Sequence, residues 1–189
     1  MRASAFLLGL LPAAVAHGGA LHVSSTSTLR DAIADGVQIE VANDMVIDEE
    51  IIIPAGSDVE ITSANGATLI ATNWARHFRI DGKLRLENLV LTNGTNIGNS
   101  RNAYGGAMYV ANDASLVLMD CIVANSTASF GGGLYAGESA NVEIYRTTFT
   151  GNIVRGFKAG GAIYTNKHRT LKIAESLFVA NIAPKGGAI

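Results

Sequence analysis

The sequence predicts an all-β chain wound as a parallel solenoid, with a short helix at its N-terminal end. Three observations carry that expectation. A glycine pair recurs at Gly105, Gly131, Gly160 and Gly186, in steps of 26, 29 and 26 residues. A second motif keeps pace with it, Phe149-Thr-Gly-Asn152 and Phe178-Val-Ala-Asn181, with looser copies Val90-Leu-Thr-Asn93 and Ile122-Val-Ala-Asn125. Between the two motifs stand short alternating runs, Leu84/Leu86, Leu116/Leu118, Val142/Ile144 and Leu171/Ile173. Alternation at period two marks strands with one buried face. Strands this short cannot bury that face within one repeat, so each repeat must stack on the next.

Composition narrows the function classes. Of 189 residues, 48% are hydrophobic and 16% charged, 21 are glycine, and the net charge is −2. Charge is sparse against the roughly 25% of an average domain, which argues against disorder and coiled coil. The few Lys and Arg are scattered among as many acids, so no basic stripe exists to neutralise phosphates and nucleic acid is not expected as a partner. One cysteine cannot form an internal disulfide, leaving packing and backbone hydrogen bonds to hold the fold.

Residues 1–16 carry Arg2, an apolar run from Ala5 to Ala16 and the small-x-small ending Ala14-Val15-Ala16, the pattern of a secretory signal peptide. The run is about 12 residues, short of the ~20 that span hydrocarbon, and no later stretch is long and apolar enough for a transmembrane helix. An extracellular or cell-surface location is therefore expected. Residues 17–36 are read as a lead-in and capping helix, with a capping box at Thr28-Leu29-Arg30-Asp31 and Gly36 as its stop. Residues 37–189 are the solenoid: irregular first coils through Val37–Val41, Ile51–Ile53, Val59–Ile61 and Phe78–Ile80, then regular ones. The chain stops inside a repeat motif, and the expectation is that the solenoid is C-terminally incomplete.

Stacking turns equivalent residues into columns about 4.8 Å apart. The expected interior columns are Val90/Ile122/Phe149/Phe178 and Met108/Leu134/Ile163/Ile189. The glycine pairs belong at a corner where left-handed backbone or close approach of coils forbids a Cβ. Asn93, Asn125, Asn152 and Asn181 are expected as a structural Asn ladder at the opposite corner. Asn93-Gly94-Thr95 and Asn125-Ser126-Thr127 are also N-glycosylation sequons. A ladder amide is buried, so ladder and glycan are rival expectations for Asn93 and Asn125.

The paired motifs resemble the repeat of chlamydial polymorphic outer membrane proteins, at Gly160–Ile163, Gly186–Ile189, Phe149–Asn152 and Phe178–Asn181. From about Thr26 the chain is similar to the pectin-lyase-like superfamily. That resemblance implies a right-handed parallel β-helix used as a surface-exposed or secreted adhesin.

Chemistry is thin. No catalytic residue, metal site or cofactor is assigned. Arg76, His77, Arg79, Asp81 and Arg85 form the densest polar group, expected chiefly as a solvated strand face. The ligand-binding candidates are Tyr109, Tyr135 and Tyr164, each following a glycine pair on the face opposite the aliphatic column. They are expected either as an exposed aromatic strip for sugar rings or a partner surface, or as rings that stack only to stabilise the sheet. The reading is a non-catalytic secreted or cell-surface protein acting in adhesion, extracellular structure or carbohydrate contact, with carbohydrate or a cell-surface protein as partner. The alternative is a polysaccharide lyase or glycoside hydrolase whose catalytic coils are missing from the chain.

Overall fold

A computed structural model describes residues 15–17, 19–97, 103–155, 158–167 and 170–189. The expected leader lies outside them except for the backbone of Val15 and Ala16, which with His17 pairs antiparallel to Ala20–Val23. The chain then winds through about five turns of a parallel β-solenoid. Each turn contributes one strand to each of three sheets. The eight-stranded sheet runs through Val37–Val41, Asp58–Thr62, Lys83–Glu87, Ser115–Met119, Asn141–Tyr145 and Thr170–Ala174. The six-stranded sheet contains Thr68–Ala71, Val90–Thr92, Ile122–Ala124, Thr148–Thr150 and Leu177–Val179. The five-stranded sheet runs Ile51–Ile53, Phe78–Ile80, Met108–Val110, Leu134–Ala136 and Ile163–Thr165. A small fourth sheet, Thr95–Asn96, Thr127–Ala128 and Ile153–Val154, forms the corner between the last two.

Strand residues alternate inward and outward, which is why the alternating runs of the sequence became strands. Leu84, Leu116 and Val142 form one buried column of the eight-stranded sheet, and Leu86, Leu118 and Ile144 another. Turn length is variable: Gln38 lies 22 residues from its neighbour Glu60, Asp120 lies 26 from Arg146 and Asn152 lies 29 from Asn181. Only residues between strands absorb the difference, because a strand that gained one residue would turn its apolar set outward.

The helix spans Thr26–Ala32 and packs Leu29 and Ala32 over the first strands. Its N-cap is Ser25, whose hydroxyl accepts from the Thr28 amide, while the Thr28 hydroxyl accepts from the Ser25 amide. The box expected at Thr28 therefore starts three residues late: Thr28 is the third helical residue, and Ser25 precedes the whole apolar face.

One interior column differs from expectation. Pairing aligns Leu91 with Val123, Phe149 and Phe178, so Val90 and Ile122 stand beside Thr148 and Leu177 on the outer side. Val123 and Phe149 are fully buried, whereas Ile122 is 40% exposed. The second expected column holds as Met108/Leu134/Ile163, continued by Phe78 and Ile51 in the earlier turns, whereas its fourth expected member, Ile189, is 52% exposed. The glycine pairs have both uses anticipated for them. Gly131 has φ +61°, and a Cβ on Gly132 would collide with the Gly161 carbonyl oxygen of the next turn.

Candidate functional site: an aromatic face on the five-stranded sheet

The outward residues of the five-stranded sheet form the column Ile52, Arg79, Tyr109, Tyr135, Tyr164. Equal backbone geometry in successive turns makes the tyrosine rings nearly parallel. Centroids are 5.5 Å apart from Tyr109 to Tyr135 at 9°, and 5.5 Å from Tyr135 to Tyr164 at 13°. Two further rings come from the adjoining corner. Tyr104 stacks on Tyr135 at 4.3 Å and 18°, and Phe130 meets Tyr164 edge-on at 4.9 Å. Tyr104 and Phe130 are paired across turns and each directly precedes a glycine pair. That position was the signal for the two rings, and the sequence reading passed over it.

The sequence left two readings of the tyrosines open, an exposed strip or rings that stack only to stabilise the sheet. Tyr135 is 6% exposed beneath Tyr104, while Tyr109 and Tyr164 stay partly open on either side. Burial, helped by the neighbouring phenol of Tyr104, pushes the Tyr135 hydroxyl up to about 12. Stacking within the sheet and exposure to a ligand are thus divided among the three rings.

Cations border the face. The Arg76 guanidinium lies 5.1 Å from the Tyr109 centroid, and the Lys158 ammonium 4.9 Å from that of Phe130. Arg76 is mostly buried, pairs with Glu50 and donates from Nη1 to the Tyr104 carbonyl at 2.5 Å. Burial pulls its pKa below the usual arginine value, against the attraction of Glu50. Arg79 donates to Asp81 at 3.0 Å, and that hydrogen bond raises its pKa. Arg76, Arg79, Tyr104 and Tyr109 line an open pocket of about 210 Å³. Arg76 and Arg79 already have carboxylate partners, so the pocket side of the face presents ring faces and hydrogen-bond donors and acceptors, with Lys158 at the Phe130 end.

The polar group of the sequence is split three ways. Arg79 and Asp81 share the outer face as expected, while Arg85 sits on the eight-stranded sheet between Glu60 and Glu87. His77, which strand alternation allowed beside Arg79, precedes the strand and turns fully inward, its Nε2 at 2.9 Å from the Leu69 carbonyl oxygen. Cys121 is a buried thiol within 3.2 Å of the Met119 carbonyl, and burial pushes it up to about 11. Of the basic loop tip Lys167-His168-Arg169, the last two lie outside the described residues.

At the opposite corner the four asparagines part company. Asn152 is buried; its Nδ2 donates to Asn181 Oδ1 at 2.9 Å and to the Val123 carbonyl. Asn152 Oδ1 accepts from the Ser126 amide, and Asn181 Nδ2 donates to the Phe149 carbonyl. The ladder is therefore Asn152–Asn181, continued by Ser126 and not by Asn125. Asn93 and Asn125 stand one position earlier, exposed, with φ 65° and 51°. They match Gly151, and the four-member ladder expected from the sequence is corrected to two members. The shift matches the one-residue correction of the Phe149 column.

Among the described residues no helix is long and apolar enough to cross a membrane, and no three His, Cys, Asp or Glu side chains converge as a metal site. No protein-family model matches the chain, and no curated protein or solved structure matches it significantly.

Proposed function

We propose that this protein is a secreted or surface-displayed, non-catalytic β-solenoid that contacts carbohydrate through the aromatic face. The observation that carries the reading is the set of near-parallel rings at 5.5 Å, with Tyr109 and Tyr164 open on either side of a filled centre. A pyranose ring presents an apolar C–H face that stacks on an aromatic ring, and its hydroxyls need donors and acceptors around the rim. Arg79, Asp81 and the tyrosine hydroxyls supply them. The leader-like residues 1–16 and the adhesin-like repeats support an extracellular setting for such contact.

The test is retention on immobilised polysaccharides by the full chain, compared with a Tyr109→Ala/Tyr164→Ala variant whose circular dichroism matches the parent. Binding that falls at least tenfold supports the reading, and unchanged retention overturns it. Recovered polymer should keep its length. Shortened or unsaturated products would establish the lyase or hydrolase alternative instead.

A further inference from the structure

We infer that Asn93 is an N-glycosylation acceptor and that the first sugar on it is seated against the indole of Trp74; this rests on the extracellular reading, since the transfer occurs in a secretory compartment. At the corner after the six-stranded sheet left-handed φ is taken by Trp74 (62°), preceded there by Asn73 (52°), and by Asn93 (65°), Asn125 (51°), Gly151 (63°) and Ala180 (53°). Their equivalence follows from the ladder beside them. Thr95 N donates to Ala75 O, Thr127 N to Gly94 O, Ile153 N to Ser126 O and Ile182 N to Asn152 O. Trp74, Asn93, Asn125 and Gly151 each immediately precede an acceptor of that ladder.

Neighbouring turns are about 4.8 Å apart, and equal backbone conformations project side chains in the same direction. Trp74 and Asn93 therefore occupy adjacent positions of the corner, one turn apart. Left-handed φ is uncommon for a bulky residue, and the corner imposes it on Trp74 as it does on Ala180. Trp74 is the one tryptophan of the chain and is 74% exposed, leaving the indole open to a ligand. Asn93 is exposed, and its Oδ1 accepts from the Thr92 hydroxyl at 3.3 Å. Among the described residues its Nδ2 has no hydrogen-bond partner. Asn125 differs, because its amide lies over Gly151 and its column neighbours are Asn93 and Gly151, neither aromatic.

Transfer onto Asn93 takes a lipid-linked oligosaccharyl diphosphate as donor. The bond from the anomeric carbon to the diphosphate oxygen breaks as the bond to Nδ2 forms. The lipid diphosphate leaves with the electron pair, and the amide nitrogen gives up one proton. Glycosylation places a bulky, solvated group on a surface position, and the apolar face of its first sugar covers the indole.

The experiment expresses the full chain in a eukaryotic secretory host, once with its own leader and once behind a proven signal peptide. Glycopeptide mass spectrometry should find a glycan on Asn93 that N93Q abolishes and N125Q leaves. Enzymatic removal of the glycan should shift the tryptophan emission to the red, to match an N93D variant. A W74F variant should keep the glycan and lose the signal. An Asn93 unoccupied behind the proven signal peptide overturns the site, as does a glycan confined to Asn125. Occupancy with an emission unmoved by deglycosylation overturns the seat on Trp74. Retention in the cell under the native leader, with occupancy under the proven one, overturns the extracellular reading and supports the site.

Discussion

Between the six- and five-stranded sheets the His77 imidazole is fully buried, with Nε2 donating to the Leu69 carbonyl, the tautomer that this acceptor dictates. Its Nδ1 has no hydrogen-bond partner among the described residues. Burial is the main cause that lowers its pKa to about 4 from an ordinary value of 6.5. Above pH 6.5 both native and unfolded chains hold a neutral imidazole, and it adds no pH dependence. As the pH falls from 6.5 toward 4, the unfolded chain takes up a proton that the native state refuses. Stability then drops by about 1.4 kcal/mol per unit, to a total on the order of 3 kcal/mol. Urea melts at pH 7, 6 and 5 should show that slope in the parent and its absence in His77→Leu; equal slopes would assign the acid sensitivity elsewhere. The sequence placed His77 among outward polar residues because alternation was extended one position past the strand. Its burial depends on the turn before Phe78, which no local pattern announces.

At the scale of the element, paired columns hold the turns together. Phe149 and Phe178 stack at 5.3 Å and 6°, and Phe149 is fully buried. Phe149→Ala should cost about 3–5 kcal/mol and Phe149→Leu less than about 1.5 kcal/mol, measured by urea denaturation. A loss under about 1 kcal/mol for the alanine variant would mean that neighbouring turns collapse onto the cavity. The strands were legible because alternation writes the buried face directly into sequence. Register at the asparagine corner was not legible. Asn and Gly both accept left-handed φ, so Asn125 is equivalent to Gly151, whereas the motif aligned it with Asn152. The helix was legible as an element, and its start was misplaced because Ser25 and Thr28 are both good capping residues.

At the scale of the molecule, a solenoid touches only its neighbouring turns, so stability is graded along the axis. Lys83–Glu87, Ser115–Met119 and Asn141–Tyr145 are paired on both sides, whereas Thr170–Ala174 is paired on one, and nearby Leu177 is 57% exposed. For the 189-residue chain, native-state hydrogen exchange should be at least about tenfold slower in the central strands than over residues 170–179. Equal protection throughout would indicate one cooperative unit. The sequence by itself determined the strands, the turn period, the glycine corner, the stacking of Tyr109, Tyr135 and Tyr164 and the two sequons. These all follow from local periodicity and from residue types with few permitted backbone conformations. Only the tertiary structure decided that Tyr104 covers Tyr135, that Asn93 and Asn125 leave the ladder for the surface, and that Trp74 and Asn93 fall at neighbouring corner positions of successive turns. Those relations join residues from different turns, and loop lengths that vary without changing the strands set which residues become neighbours.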